Sequence, residues 1–191
     1  MEHAVSRENS LQQILLVALN LATACLIAGC VIASVFVMTN PFAERNRKKM
    51  AVDAMQQLMP NATGFRLIPG YSSWYLAQCN TVPLGYVLGI QTKGYGGAMK
   101  ILAAVDTNDI LINYTILSHN ETPGLGDGAE KPKFRNQFKG KSASQLVVVK
   151  SHDPDKIDAM SGATITSRAV TNAIRNELFA LQGYQKSLAA Q

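Results

Sequence analysis

Met99-Lys-Ile-Leu-Ala-Ala-Val105 and Ile110-Leu-Ile-Asn-Tyr-Thr-Ile-Leu117 stand on either side of Asp106-Thr-Asn-Asp109. Both flanks are rich in aliphatic and β-branched residues, and the link is made of turn formers. The stretch therefore predicts two strands joined by a turn. Upstream, Trp74-Tyr-Leu-Ala-Gln-Cys79 and Leu84-Gly-Tyr-Val-Leu-Gly-Ile90 predict a second hairpin through Asn80-Thr-Val-Pro83. Phe65-Arg-Leu-Ile68 is a candidate short strand, and Leu146-Val-Val-Val149 reads as a buried one. Near the C-terminus, Val170, Ile174, Leu178 and Leu181 share one helical face, with Ala173 beside them. Short strands followed by a terminal helix predict an α+β domain with a mixed, mainly antiparallel sheet and flanking helices. The polar tail from Gly183 is expected to be loose.

Three stretches carry candidate chemistry. The first is Asp158-Ala-Met-Ser161-Gly162-Ala163-Thr164-Ile-Thr166-Ser167, where small residues precede a row of hydroxyls. Thr164 is expected at or just before a helix N-terminus, where unpaired amides and the positive dipole end favour an anion. Taken locally, a Ser/Thr helix cap also accounts for it. The second is His119-Asn-Glu121-Thr122-Pro123-Gly124-Leu125-Gly126, which follows a predicted strand. His119 and Glu121 are too few for a metal site, and no HExxH or G-x-S-x-G pattern supports hydrolytic chemistry. The third is the glycine-rich link Lys93-Gly94-Tyr95-Gly96-Gly97. It has neither dinucleotide-fold nor phosphate-loop spacing. It reads either as a tight inter-strand turn or as a place where backbone approaches a planar ligand closely.

The chain has 191 residues and a formal net charge of +5, which predicts one domain plus an appendage. That charge does not point to nucleic acid. The basic cluster Arg45, Arg47, Lys48 and Lys49 follows an apolar segment and suits a juxtamembrane position. Cys25, Cys30 and Cys79 fit no zinc or iron–sulfur framework. Ile14 to Met38 contains no charged residue, His or Pro. Its length of roughly 25 residues exceeds the about 20 needed to cross a bilayer as a helix. Ile27-Ala28-Gly29-Cys30 looks like a lipoprotein cleavage box, but the apolar run continues through Val37, which favours a retained anchor. Asn40-Pro41 reads as a helix entry or break, followed by an amphipathic helix ending before Pro60. The expected organisation is a tail over 1–13, a membrane span over 14–38, a connecting helix over 39–60 and a domain over 61–191.

D-x-x-S-G-A-T, ending on Thr164, resembles the acceptor motif to which a flavin transferase joins FMN through a phosphoester. H-x-E-T-P-G-L-G at residues 119–126 closely matches a signature of the same proteins. With anchor, strands and terminal helix in order, the sequence resembles the G subunit of the Rnf (Rsx) ion-translocating electron-transfer complex. It is also similar to the C subunit of the sodium-translocating NADH:quinone reductase.

The resemblance implies covalent FMN on Thr164, with Ser161, Gly162, Ala163, Glu121, Thr122, Gly124 and Leu125 as cofactor-binding residues. Asp158 belongs to the sequence that the transferase recognises, and the transferase takes FMN from FAD with Mg²⁺. The implied role is electron relay inside a membrane complex coupling ferredoxin–NAD electron flow to ion movement. Partners are the other membrane subunits and the flavin transferase, and no turnover is expected from the chain alone. A single span without an intramembrane acid or base does not form an ion path. The rival readings are an anchored extracytoplasmic flavin-binding sensor and a structural subunit without relay. Orientation is contested: the positive-inside rule sets Arg7 against Arg45, Arg47, Lys48 and Lys49 and places the domain in the cytoplasm. The resemblance implies a bacterial inner-membrane protein with its domain in the periplasm. We follow the resemblance, because long domains translocate despite local charge.

Overall fold

The computed structural model describes residues 2–189, and the side chains of residues 13–188. The chain divides into two units, Met1–Lys49 and Met50–Gln191. Helix α1, Glu2–Leu58, accounts for the described part of the first unit and opens the second. It contains a segment long and apolar enough to cross a membrane, and none of that window is buried. The expected tail over 1–13 is helical from Glu2, and the entry or break expected at Asn40-Pro41 is absent. Pro41 removes one amide donor and leaves the carbonyl one turn back without its partner. The helix-forming residues on both sides carry the helix past it.

The second unit is built on a five-stranded antiparallel meander in the order β1-β2-β3-β4-β5. The strands are β1 Gly64–Leu67, β2 Trp74–Cys79, β3 Val82–Lys93, β4 Ala98–Asp106 and β5 Leu111–Ser118. The β4–β5 turn forms where the sequence predicts it. Asp106 Oδ1 accepts from the amides of Asn108 and Ile110, at 2.8 and 2.9 Å, and Asp109 adopts φ 63°. The β2–β3 turn is tighter than expected. Asn80 takes the left-handed conformation at φ 58°, so Cys79 pairs directly with Val82. Pro83 is tolerated inside β3 because the register shifts beside it.

Side chains alternate across the sheet, and β4 is buried on both faces. Met99, Ile101, Ala103 and Val105 join one core; Leu102 and Ala104 join the other. The second core is completed by Met55 and Leu58 from the end of α1, with Met59 and Ala62. The first is covered by helix α3, Thr164–Ala189, through fully buried Val170, Ile174, Leu178 and Leu181. Such burial contributes about 1.5–3 kcal/mol per side chain. The C-terminal segment is not loose: α3 continues past Gly183, and Tyr184 packs edge-on to Tyr71 and Trp74. Trp74 Nε1 in turn donates to Glu177 at 2.6 Å, which fixes α3 to β2.

Between β5 and α3 the chain makes mostly short turns, including the one-turn helix α2, Pro132–Arg135. Phe134 and Phe138 pack edge-to-face there, and Phe138 also meets Tyr114. Burial pushes the Tyr114 phenol well above its ordinary value. Its hydroxyl donates to the Ala129 carbonyl at 2.6 Å. The strand expected at 146–149 shrinks to β6, Val148–Val149, pairing in parallel with β7, Ile157–Asp158. A capping box between Ser142 and Gln145 turns the chain just before it. Of that apolar run only Leu146 is fully buried.

Candidate functional site

Thr164 is the first residue of α3, and Ala163 precedes it. The Ser167 amide donates to the Ala163 carbonyl at 2.9 Å, closing the first helical turn. The amides of Thr164, Ile165 and Thr166 therefore precede the helical ladder and face the start of the helix. Ser167 pins the approaching turn: its hydroxyl donates to the Ala163 carbonyl at 2.9 Å and accepts from the Met160 amide at 3.0 Å. Gly162 sits at φ 72°, and a Cβ there would press on Leu125 Cδ2 at 3.0 Å. A glycine is needed at that bend for both reasons.

The Thr164 side chain lies on a cleft of about 440 Å³, lined by Tyr95, Glu121, Thr122, Leu125, Gly126, Gly162, Ala163, Ile165 and Thr166. That size lies within the range of about 300–1,000 Å³ typical of small-molecule sites. Three segments far apart in sequence meet here: the β3–β4 link, the loop after β5 and the start of α3. Tyr95, Leu125 and Ile165 form its exposed apolar lips.

Glu121 joins the three segments. It is only 6% exposed. Its Oε1 accepts from the Gly96 amide at 2.9 Å, and its Oε2 accepts from the Thr166 hydroxyl at 2.6 Å. Gly94 and Gly126 leave room for its carboxylate, since a Cβ at either would collide with it. A Cβ at Gly96 would strike the Asn120 backbone carbonyl. These glycines permit a close approach, but what approaches is this loop. His119 has a related duty. Its Nδ1 accepts from the Glu121 amide at 3.0 Å, so its proton sits on Nε2, 3.4 Å from Glu130 Oε1. His119 and Glu121 thus face different partners. No cluster of three or more His, Cys, Asp or Glu fit for a metal occurs among the described residues.

The site residues expected from sequence divide between two neighbouring hollows. Gly162, Ala163, Thr164, Glu121, Thr122 and Leu125 share the cleft. Ser161, Gly124 and Asp158 line a second hollow of about 640 Å³, with Lys131 and Met160. Leu125 lines both and separates them. Tyr95, Ile165, Thr166 and Gly126 lie within the three candidate stretches, but the sequence does not single them out as cofactor-binding residues. The signal for Tyr95 was an aromatic between glycines; Thr166 gave no signal beyond its hydroxyl.

Asp158 lies on β7. Its Oδ2 is 2.6 Å from His152 Nδ1, and its amide donates to Gln137 Oε1 at 2.7 Å. The hydrogen bond and charge of His152 hold the Asp158 carboxyl below its usual range, and Asp158 raises His152 in return. The His152 contribution to folding is therefore present below its unfolded pKa and lost as pH rises through its raised folded value. The Asp158 contribution is lost as pH falls through its depressed value. In Asp158→Asn, the NMR titration midpoint of His152 should fall toward the ordinary histidine value of about 6.5. An unchanged midpoint would show that the pair does not form in solution.

Fold and cleft together define a small α+β domain that presents a helix-start hydroxyl beside a largely apolar cleft of small-molecule size. Residues 94–178 match the family model described as FMN-binding domain. The chain is 41% identical over 172 residues to the G subunit of a proton-translocating ferredoxin:NAD(+) oxidoreductase complex from Clostridium ljungdahlii, covering 90% of this chain and 93% of the relative. It is 29% identical over 182 residues to the G subunit of the Na(+)-translocating counterpart from Acetobacterium woodii, covering 84% and 87% of the two chains. Among solved structures, the C subunit of the Na(+)-translocating NADH-quinone reductase from Parabacteroides distasonis aligns with a TM-score of 0.49. That alignment has 30% identity and covers 62% of this chain and 63% of the other. The chain belongs to the G-subunit family of Rnf-type ion-translocating ferredoxin:NAD(+) oxidoreductase complexes.

Proposed function

We propose that this chain carries FMN as a phosphoester on Thr164 and relays electrons within an ion-translocating ferredoxin–NAD oxidoreductase complex. The observation that carries the reading is the placement of Thr164, at the start of α3 on the cleft that Glu121, Thr122 and Leu125 also line. The residues present fit the group. The leading amides of α3 and the positive end of its dipole favour the charge a phosphodiester keeps. The apolar lips suit a flat ring, and Thr122 adds a polar group on the same cleft. Bound FMN supplies a centre that accepts and passes on electrons. The protein's part is to hold the phosphate end, orient the ring and exclude water from one side. Asp158 belongs, in this reading, to the surface recognised by the flavin transferase, beside Ser161 in the adjoining hollow.

The expected mass of the tryptic peptide bearing Thr164 is that of the peptide plus FMN less one water. An unmodified peptide from native membranes would end the proposal.

The apolar stretch of α1 serves as the membrane anchor, and the ion path belongs to other subunits. We place the second unit in the periplasm. In spheroplasts, added protease should then cleave it while a cytoplasmic marker stays intact. Protection until lysis would place it in the cytoplasm.

A further inference from the structure

Tyr95 lines the Thr164 cleft, yet it is 73% exposed. A single exposed aromatic is ordinary; the mount of this one is not. On one side the Gly94 amide donates to the Gly97 carbonyl at 2.9 Å, closing the link between β3 and β4. On the other the Gly96 amide donates to buried Glu121 at 2.9 Å. Gly94 and Gly96 are further confined by Glu121 and by the Asn120 carbonyl, which leave no room for a Cβ. The backbone on both sides of Tyr95 is therefore held, while its ring lacks a burying neighbour. Leu125, 46% exposed, and Ile165, 59% exposed, line the same cleft and are similarly uncovered. An aromatic on a fixed backbone beside a small-molecule cleft matches a flat π-system, which it meets in offset or edge-on contact.

We propose that Tyr95 is an aromatic wall of this cleft, stacking on the isoalloxazine ring of FMN held at Thr164. The inference rests on the phosphoester reading above and adds a contact which that reading does not require. Tyr95 is a positioning residue here: it fixes where the ring lies and shields one face of it.

The test uses the full chain, produced with a flavin transferase and purified in detergent. Two quantities are read separately: FMN mass on the Thr164 peptide, and flavin fluorescence before and after unfolding. The covalent bond survives unfolding, so the second ratio reports ring contacts alone. The wild type should brighten severalfold on unfolding. Tyr95→Leu should carry as much FMN but be bright while folded, losing most of that rise; Tyr95→Trp should remain quenched. A fully loaded Tyr95→Leu as dim as wild type would overturn the stacking and leave the Thr164 reading intact. Wild-type protein without FMN on Thr164 would overturn both. If Tyr95→Leu takes up no FMN, recovery of loading in Tyr95→Trp supports the ring contact, and failure of that variant too overturns it.

Discussion

Thr164→Ala should eliminate covalent flavin from the purified chain, leaving in-gel fluorescence at background. The expected loss is complete because no other hydroxyl of the stretch 158–167 is placed to substitute. Thr166 is the nearest candidate in sequence, but it is fully buried and donates to Glu121 Oε2 at 2.6 Å. Ser167 is also fully buried, and its hydroxyl is committed to the Ala163 carbonyl and the Met160 amide. Ser161 is exposed but lines the adjoining hollow. Thr164 carries no cap bond on which the fold depends, so the variant should melt close to wild type. Covalent fluorescence that persists in a folded Thr164→Ala protein would move the acceptor elsewhere.

Glu121→Ala should produce the largest loss of stability among the site residues. It leaves the Gly96 amide and the Thr166 hydroxyl without their acceptor and opens a void among Gly94, Gly96 and Gly126. Hydrogen bonds to a charged group contribute about 1.5–3 kcal/mol each, and the variant no longer bears the desolvation cost of burying a carboxylate, which offsets part of their loss. A net cost of about 2–4 kcal/mol follows, or a fall in melting temperature on the order of 10 °C for a domain of this size. Glu121→Gln retains one acceptor oxygen and should fall between the two. Calorimetry on the flavin-free chain separates this effect from cofactor binding. A melting temperature within a degree or two of wild type in the Ala variant would show that the two bonds are not maintained in solution.

What the sequence revealed and what it hid follow the range of the interactions. The β4–β5 hairpin was legible because its strands are rich in aliphatic and β-branched residues and Asp106 organises its own turn. The stripe Val170, Ile174, Leu178 and Leu181 was legible because 3.6-residue periodicity is written locally. The misjudged elements were decided by neighbours that compete. The capping box at Ser142 and Gln145 curtailed the strand at 146–149. Asn80 took a conformation that let Val82 and Pro83 join β3, and helix-forming flanks carried α1 through Pro41. The hydroxyl we propose as acceptor and the loop after β5 were singled out through their resemblance to a family. The bracing function of Glu121 was not, because its partners lie 25 and 45 positions away. The glycines around it look in sequence like ligand contacts, and in the folded chain they make room for a carboxylate.

That arrangement sets the smallest portable unit of the protein. Residues 158–167 grafted onto another helix would transplant a hydroxyl and its turn, while the hollow beside it would stay behind. An engineer wishing to move the whole pocket would have to transfer the β3–β4 link, the loop after β5 and the first turn of α3 as one block. The glycines at 94 and 126 would have to travel with Glu121, whose carboxylate leaves no room for a Cβ at either, and Gly96 with the Asn120 carbonyl it lies against.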